Sequence, residues 1–293
     1  MTKFLIDANT FLDFYRSNND ALQILDEVKK NKDNFIFSEQ VFNEFMRNRV
    51  TELESLISNF KNSIKINIYS SSILNSMQPY IEIQDLKKTI AEKGKDLVKS
   101  IEEMIIDSEK DPVSLKIKEL FQSPGVQVIN VSDDDILRAK KRKLLGQPPT
   151  SRDKASIGDE VIWESLISKG ESDIVIVSRD KTYSRNIDLL KTEYLNKTGK
   201  QLIQITDRIT TAIRSIGNMP STDVVELETK QLEEREKSIK QIVGEVQDVM
   251  IHFERYGMYE MACVNCGSGI SQLQRQCHHC GKLNPFFMQD DDL

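Results

Sequence analysis

Lys3-Phe4-Leu5-Ile6-Asp7 at the start of the chain and Ile174-Val175-Ile176-Val177-Ser178-Arg179-Asp180 far downstream are two apolar runs that each end on an aspartate. Short continuous runs of this composition read as strands buried on both faces, the pattern of a parallel sheet. A buried strand that stops on a carboxylate, twice, predicts an acidic pocket at the C-terminal edge of that sheet, where open α/β folds place their chemistry. Carboxylates without histidine suit a hard divalent cation, so the pattern reads as a metal-dependent enzyme acting on phosphates. Taken singly, each aspartate reads equally well as the cap of the helix that follows its strand.

Working outward, strands are predicted near 4–6, 34–37, 126–131, 174–178 and 201–206, alternating with helical periodicity. That order implies a three-layer α/β/α domain over residues 1–216 built on a parallel sheet. Ser38 is placed to cap the helix from Glu39 onward, which carries Val41, Phe42, Phe45 and Met46 on one face. Residues 50–122 read as a helical insertion, with Leu86, Ile90, Leu97, Ile101 and Ile105 marking an amphipathic helix over about 84–109. Pro112 opens another helix, at a position where proline is tolerated. Residues 217–257 read as a linker and a long charged helix with a narrow apolar stripe, suited to spacing or to packing on a partner. Residues 258–287 form a cysteine module and 288–293 an acidic tail.

The 293 residues suit one large domain plus a small module. A hydrophobic content of 39% with 29% charged residues and a mean hydropathy of −0.43 describe a soluble chain. No stretch approaches the roughly 20 apolar residues needed to span a bilayer, and no signal-peptide pattern opens the sequence. The expectation is a cytoplasmic protein without a membrane partner. The net charge of −6 carries no global nucleic-acid signature. Between Arg138 and Lys154, however, seven cations face a single acid, Asp153. That run attracts phosphates or forms a solvated face. The three histidines, His252, His278 and His279, all lie beyond residue 250, which excludes histidine acid–base catalysis in the large domain.

Two further carboxylates join the pair by geometry. In Gly158-Asp159-Glu160-Val161-Ile162-Trp163-Glu164-Ser165-Leu166, Asp159 shares a helix face with Ile162, Trp163 and Leu166, while Glu160 and Glu164 are expected to point outward. A carboxylate heading a buried stripe requires a cation or donors. Glu44 sits at the edge of the Val41, Phe42, Phe45 and Met46 stripe; alone it reads as an ordinary surface glutamate.

Asp7-Ala8-Asn9-Thr10 after a strand, a helix carrying Glu44, Gly158-Asp159 opening a helix, and Val177-Ser178-Arg179-Asp180, in this order over roughly residues 1–215, resemble the PIN domain of metal-dependent nucleases. The segment 158–164 is similar to larger PIN-like proteins of bacteria. The resemblance implies a five-stranded parallel sheet and a site of Asp7, Glu44, Asp159 and Asp180 binding Mg²⁺ or Mn²⁺, with Asn9 or Thr10 adding a supporting oxygen. It also implies phosphodiester hydrolysis, of single-stranded RNA in preference to DNA. The insertion at 50–122 is longer than compact family members carry. Clustered carboxylates repel one another unless divalent cations neutralise them, and two such ions about 4 Å apart activate water and stabilise a leaving oxygen. Arg179, Lys181, Arg152 and Lys154 are candidate contacts to the phosphate backbone, or solubility charges.

Cys263-Val264-Asn265-Cys266 and Cys277-His278-His279-Cys280 form C-x₂-C-x₁₀-C-x₂-C, the most specific local motif in the chain. The spacing points to a closed structural Zn²⁺ site of four thiolates and resembles a zinc ribbon. Gly267 and Gly281 follow each pair, where tight turns favour positive φ. A module this short needs its metal to fold and serves nucleic-acid contact, protein docking or dimerisation. The sequence thus predicts a two-part endoribonuclease. The competing readings are a DNA nuclease in phage defence and a non-catalytic binding scaffold.

Overall fold

The computed structural model describes residues 2–17, 20–151 and 155–237, together with 260–262, 269–271, 276, 280 and 281. The chain divides into two compact units, Met1–Leu232 and Glu233–Leu293.

In the first unit, β1 (Thr2–Ile6), α1 (Ala8–Leu12), α2 (Gln23–Lys30), β2 (Phe35–Ser38), α3 (Glu39–Ser63), α4 (Ser72–Asn75) and α5 (Gln78–Ile106) follow one another. They are succeeded by α6 (Pro112–Gln122), β3 (Gln127–Ile129), α7 (Asp133–Leu145), α8 (Gly158–Ser168), β4 (Asp173–Val177), α9 (Lys181–Ser184), α10 (Ile187–Thr198), β5 (Leu202–Thr206) and α11 (Ile209–Ser215). Residues 222–232 are helical, and Val224, Glu228, Gln231 and Leu232 of that stretch are buried.

The five strands form one sheet in the order β3-β2-β1-β4-β5, and every pairing is parallel. Phe4 lies opposite both Phe35 and Val175, and Ile6 opposite Val177. Successive side chains of a strand point to opposite faces. Phe4, Leu5 and Ile6, like Val175, Ile176 and Val177, are all buried, so helices cover both faces, as an all-parallel sheet requires. The strand order reverses between β1 and β4, which opens a crevice beyond their carboxyl ends. Asp7 and Asp180 sit at that crevice.

Phe11, Phe35, Phe37, Phe42, Phe45 and Phe121 pack edge-to-face and stacked on the β2 side of the core. Beyond it, α3 and α5 form an arm with its own small core of Leu53, Ile57, Val98 and Ile101. Added to Gly94 of α5, a Cβ would lie 2.6 Å from Ile64 Cδ1 and 3.7 Å from the Phe60 ring, so the absence of a side chain there permits the close approach. The predicted α5 stripe is corrected. Ile101 is buried, but Leu86, Ile90 and Leu97 are 62%, 40% and 46% exposed. For Leu86 and Ile90 the reason is length, since α3 ends where it meets Gly94, about four turns short of the start of α5. Leu97 lies within the packed stretch, where the neighbouring Val98 is buried in its place.

A buried polar knot ties the arm to the sheet domain. Arg49, 3% exposed, donates to the Met104 carbonyl at 2.8 Å near the C-terminus of α5, where a cation complements the helix dipole. It lies 3.9 Å from Asp111. Asp111 caps α6 through Val113 N–H and Ser114 N–H and accepts from the Tyr15 hydroxyl and the Ser114 hydroxyl. Burial, then the bond to Asp111, pushes the Tyr15 phenol far above its ordinary range.

In the second unit, β6 (Glu260–Ala262) and β7 (Gly269–Ser271) pair antiparallel with Met261 opposite Ile270. Gly281 has φ +69°, in line with the tight turn read after Cys280. Cys280 is half-buried; Cys263, Cys266 and Cys277 lie outside the described residues, and with them the Zn²⁺ set. No helix among the described residues is long and apolar enough to cross a membrane.

Candidate active site

Asp7 follows β1 directly, and its N–H is held by the Val177 carbonyl of the neighbouring strand at 2.9 Å. The residue occupies the N-cap position of α1, yet its side chain makes no capping bond. The cap alternative therefore fails for Asp7. Its Oδ2 instead accepts from the Ser178 hydroxyl at 3.0 Å. Asp180 does cap α9, accepting the Thr182 N–H at 2.8 Å. The Ser178 Oγ also accepts the Asp180 N–H at 3.1 Å, so one hydroxyl links the ends of β1 and β4. Sequence reasoning quoted Ser178 within its motif without assigning it this part.

Glu44, half-buried, lies on the second turn of α3 and accepts from the Gln40 amide at 2.8 Å. Opposite it, Gly158 begins α8. A Cβ on Gly158 would fall 1.6 Å from Glu44 Oε1 and 2.8 Å from its carboxyl carbon. No other residue type fits while Glu44 holds this position. Asp159 follows in the first turn of α8 and is 9% exposed.

The four carboxylates share one electrostatic neighbourhood. The Asp7 carboxyl is pushed up to about 7, first by burial and then by the Asp159 charge. Glu44 adds to the shift, against a lowering by the Ser178 hydrogen bond. Tyr183, 2% exposed, donates its hydroxyl to the Asp159 carbonyl at 3.2 Å. Burial first, and then the charges of Asp159, Asp7, Glu44 and Asp180, raise this phenol well above its ordinary range. Tyr183 is a residue the sequence reading missed. The available signal was an aromatic three positions after the strand-terminal Asp180.

The donor set is chemically suited to a hard cation: carboxylate oxygens and hydroxyls, with no thiolate or imidazole. Three buried hydroxyls of this region, Thr10 Oγ1, Ser38 Oγ and Thr182 Oγ1, have no hydrogen-bond partner among the described residues. They stand in the first turn of α1, at the end of β2 and in the first turn of α9. Ser38 thus occupies the N-cap position of α3 without making the expected capping bond. Asn9 is exposed. Among the described residues, no three His, Cys, Asp or Glu side chains converge closely enough to form a ready ligand group. The carboxylates are neighbours, not a closed cage.

The candidate cations fare differently from one another. Lys181 is exposed in the first turn of α9, beside Asp180. Arg179 is corrected: it turns inward into an ion pair with buried Asp13, and its side chain is 7% exposed. A guanidinium so enclosed is not presented to a phosphate backbone. Arg152 and Lys154 lie outside the described residues, as does Asp153.

The outward orientation of Glu160 and Glu164 is also corrected, because both are buried. Glu160 accepts from the Thr150 hydroxyl at 2.8 Å and lies 3.4 Å from Lys143. Glu164 pairs with Arg142 at 2.6 Å and with Arg138 at 3.3 Å. A helix buried on every side places its charges inside, where they need partners. The partners come from α7, so part of the basic run at 138–154 serves internal ion pairs.

A doubly wound parallel sheet with carboxylates gathered beyond its two central strands is the frame of an acidic-centre nuclease domain. A family model for the PIN domain matches residues 5–183, more than half of the chain, and the chain belongs to that family. PIN domains are in general nucleases that use divalent metal ions such as Mg²⁺. No curated protein and no solved structure matches the chain.

Proposed function

We propose that this protein is a metal-dependent endonuclease that hydrolyses phosphodiesters of single-stranded RNA, with Asp7, Glu44, Asp159 and Asp180 as its metal-holding carboxylates. The observation that carries the reading is Asp7: a buried carboxylate at a sheet edge, pushed up first by its burial and then by the neighbouring acids. When bound there, Mg²⁺ or Mn²⁺ supplies neutralisation of that charge and an acidified water for attack on phosphorus. Ser178 holds Asp7 and the Asp180 backbone in a fixed relation, and Gly158 admits Glu44 to the same space. Tyr183 stays protonated and excludes water beneath the acids. Exposed Lys181 is the substrate contact nearest to Asp180, while the preference for RNA rests on the family resemblance.

In the same reading the catalytic part spans 1–216, the charged helix of 217–257 connects it to a Cys₄ Zn²⁺ ribbon over 258–287, and the protein works in the cytoplasm. The ribbon or the helix recruits substrate, a protein partner or a second copy. The test is cleavage of end-labelled single-stranded RNA and DNA of matched sequence with Mg²⁺ or Mn²⁺. Internal cuts in RNA that disappear in Asp7→Asn and Asp180→Asn are expected. Undiminished cutting by both variants would overturn the assignment.

A further inference from the structure

Away from the carboxylates, α7, α8 and α10 line a pocket of about 730 Å³ that is open to solvent on one side. Arg138, Lys141, Arg142 and Lys197 line it, against the two carboxylates Glu164 and Glu193. Both acids are already engaged. Arg142 holds Glu164 at 2.6 Å and Glu193 at 2.6 Å, and Arg138 reaches Glu164 at 3.3 Å. Glu193 also accepts the Trp163 indole N–H at 2.9 Å. Lys141 and Lys197 are exposed, and among the described residues neither has a hydrogen bond or ion pair. Arg138 is also paired with buried Asp135 at 2.6 Å, so four cations against three carboxylates leave the cavity and its immediate partners net positive by one. Leu145 and Ile167 supply an apolar wall.

This combination selects a ligand. The exposed ammonium groups of Lys141 and Lys197, the latter within electrostatic reach of Glu193, recognise a phosphate. Arg138 offers a planar face for stacking, and the apolar wall suits a flat hydrophobic body. The volume falls in the range of roughly 300–1,000 Å³ occupied by small-molecule sites and far exceeds that of a bare phosphate. We propose that this cavity binds a free mononucleotide, separately from the carboxylate site and independently of the nuclease reading.

The molecule carries its own reporter. Trp163 is the single tryptophan of the chain, is fully buried, and bonds to a carboxylate of the cavity wall. The experiment titrates the full-length protein in EDTA with adenosine 5′-monophosphate, adenosine and inorganic phosphate, reading tryptophan emission and heat. The expected result is a saturable change with the nucleotide, and binding roughly tenfold weaker for adenosine or phosphate alone. Lys141→Ala with Lys197→Ala, both at exposed positions, should weaken the nucleotide by at least about tenfold, and Asp7→Asn should leave its affinity unchanged. Three outcomes would overturn the proposal: no saturable response, adenosine or phosphate binding as tightly as the nucleotide, or unchanged affinity in the double lysine variant. Loss of binding in Asp7→Asn would place the nucleotide at the acids and overturn it as well. None of these readouts depends on RNA cleavage.

Discussion

Gly158 and Glu44 occupy each other's space: the position a Cβ would take on Gly158 is 1.6 Å from Glu44 Oε1. Gly158→Ala must therefore displace the glutamate or shift α8. A loss of about 1–3 kcal/mol in stability is expected from the overpacking, together with loss of metal-dependent cleavage. Combining it with Glu44→Ala removes the clash, so the double variant should melt close to Glu44→Ala alone. A double variant whose destabilisations simply add would show that the two side chains do not compete.

Asp7 makes a pH-dependent prediction for the metal-free protein. Its folded pKa is raised from 3.8 to about 7, so the folded state holds a proton that the unfolded state has lost between these values. Stability therefore falls as pH rises through this window. Asp7→Asn, neutral at every pH and still able to accept from Ser178, should melt higher than the parent at pH 8 in EDTA. The gain should be up to about 4 kcal/mol and vanish near pH 4. An equal melting temperature at pH 8 would show that Asp7 is not under this repulsion.

Ser178→Ala removes both the donor to Asp7 and the acceptor of the Asp180 N–H. Because the Ser178 bond lowers the Asp7 pKa, its loss should raise that pKa further. The acidic limb of the cleavage rate against pH should move to higher pH, with a stability loss of about 1–3 kcal/mol. Ser178→Thr, which keeps the hydroxyl, should restore the profile. A pH profile unmoved in Ser178→Ala would remove the serine from the site.

Arg142 is 4% exposed and joins Glu164, Glu193 and the Pro148 carbonyl. Truncation to alanine leaves buried Glu164 without its main partner and should cost about 3–5 kcal/mol. Urea melts read the loss, and tryptophan emission should report the altered Glu193 beside Trp163. A variant as stable as the parent would show that Arg138 alone satisfies Glu164.

Zinc analysis of purified protein should find about one equivalent per chain, released on substituting Cys263 and Cys280. Its absence from protein purified without chelator would remove the ribbon from the reading.

What was legible in the chain were features whose cause is local. The apolar runs before Asp7 and before Asp180 gave the two central strands because a parallel sheet buries both faces of a strand. Features created by distant neighbours were not legible. Glu160 and Glu164 were assigned to solvent by helical periodicity, yet their partners are cations on α7, which no spacing within α8 reveals. Arg179 was grouped with Asp180 by adjacency, but successive side chains of an extended segment point to opposite sides, and Arg179 points to Asp13. The exposed start of α5 follows from where α3 stops, which periodicity within α5 does not encode.

The single helix α3 has a structural consequence. It carries Glu44 near its beginning and Leu53 and Ile57 of the arm core farther along, without a break over 25 residues, or about 37 Å. Asp7 and Asp180 are tied to the sheet, whereas Glu44 rides on a rod whose far end lies outside it. These carboxylates therefore stand on two supports: the strand ends place Asp7 and Asp180, and the helix that also builds the arm places Glu44.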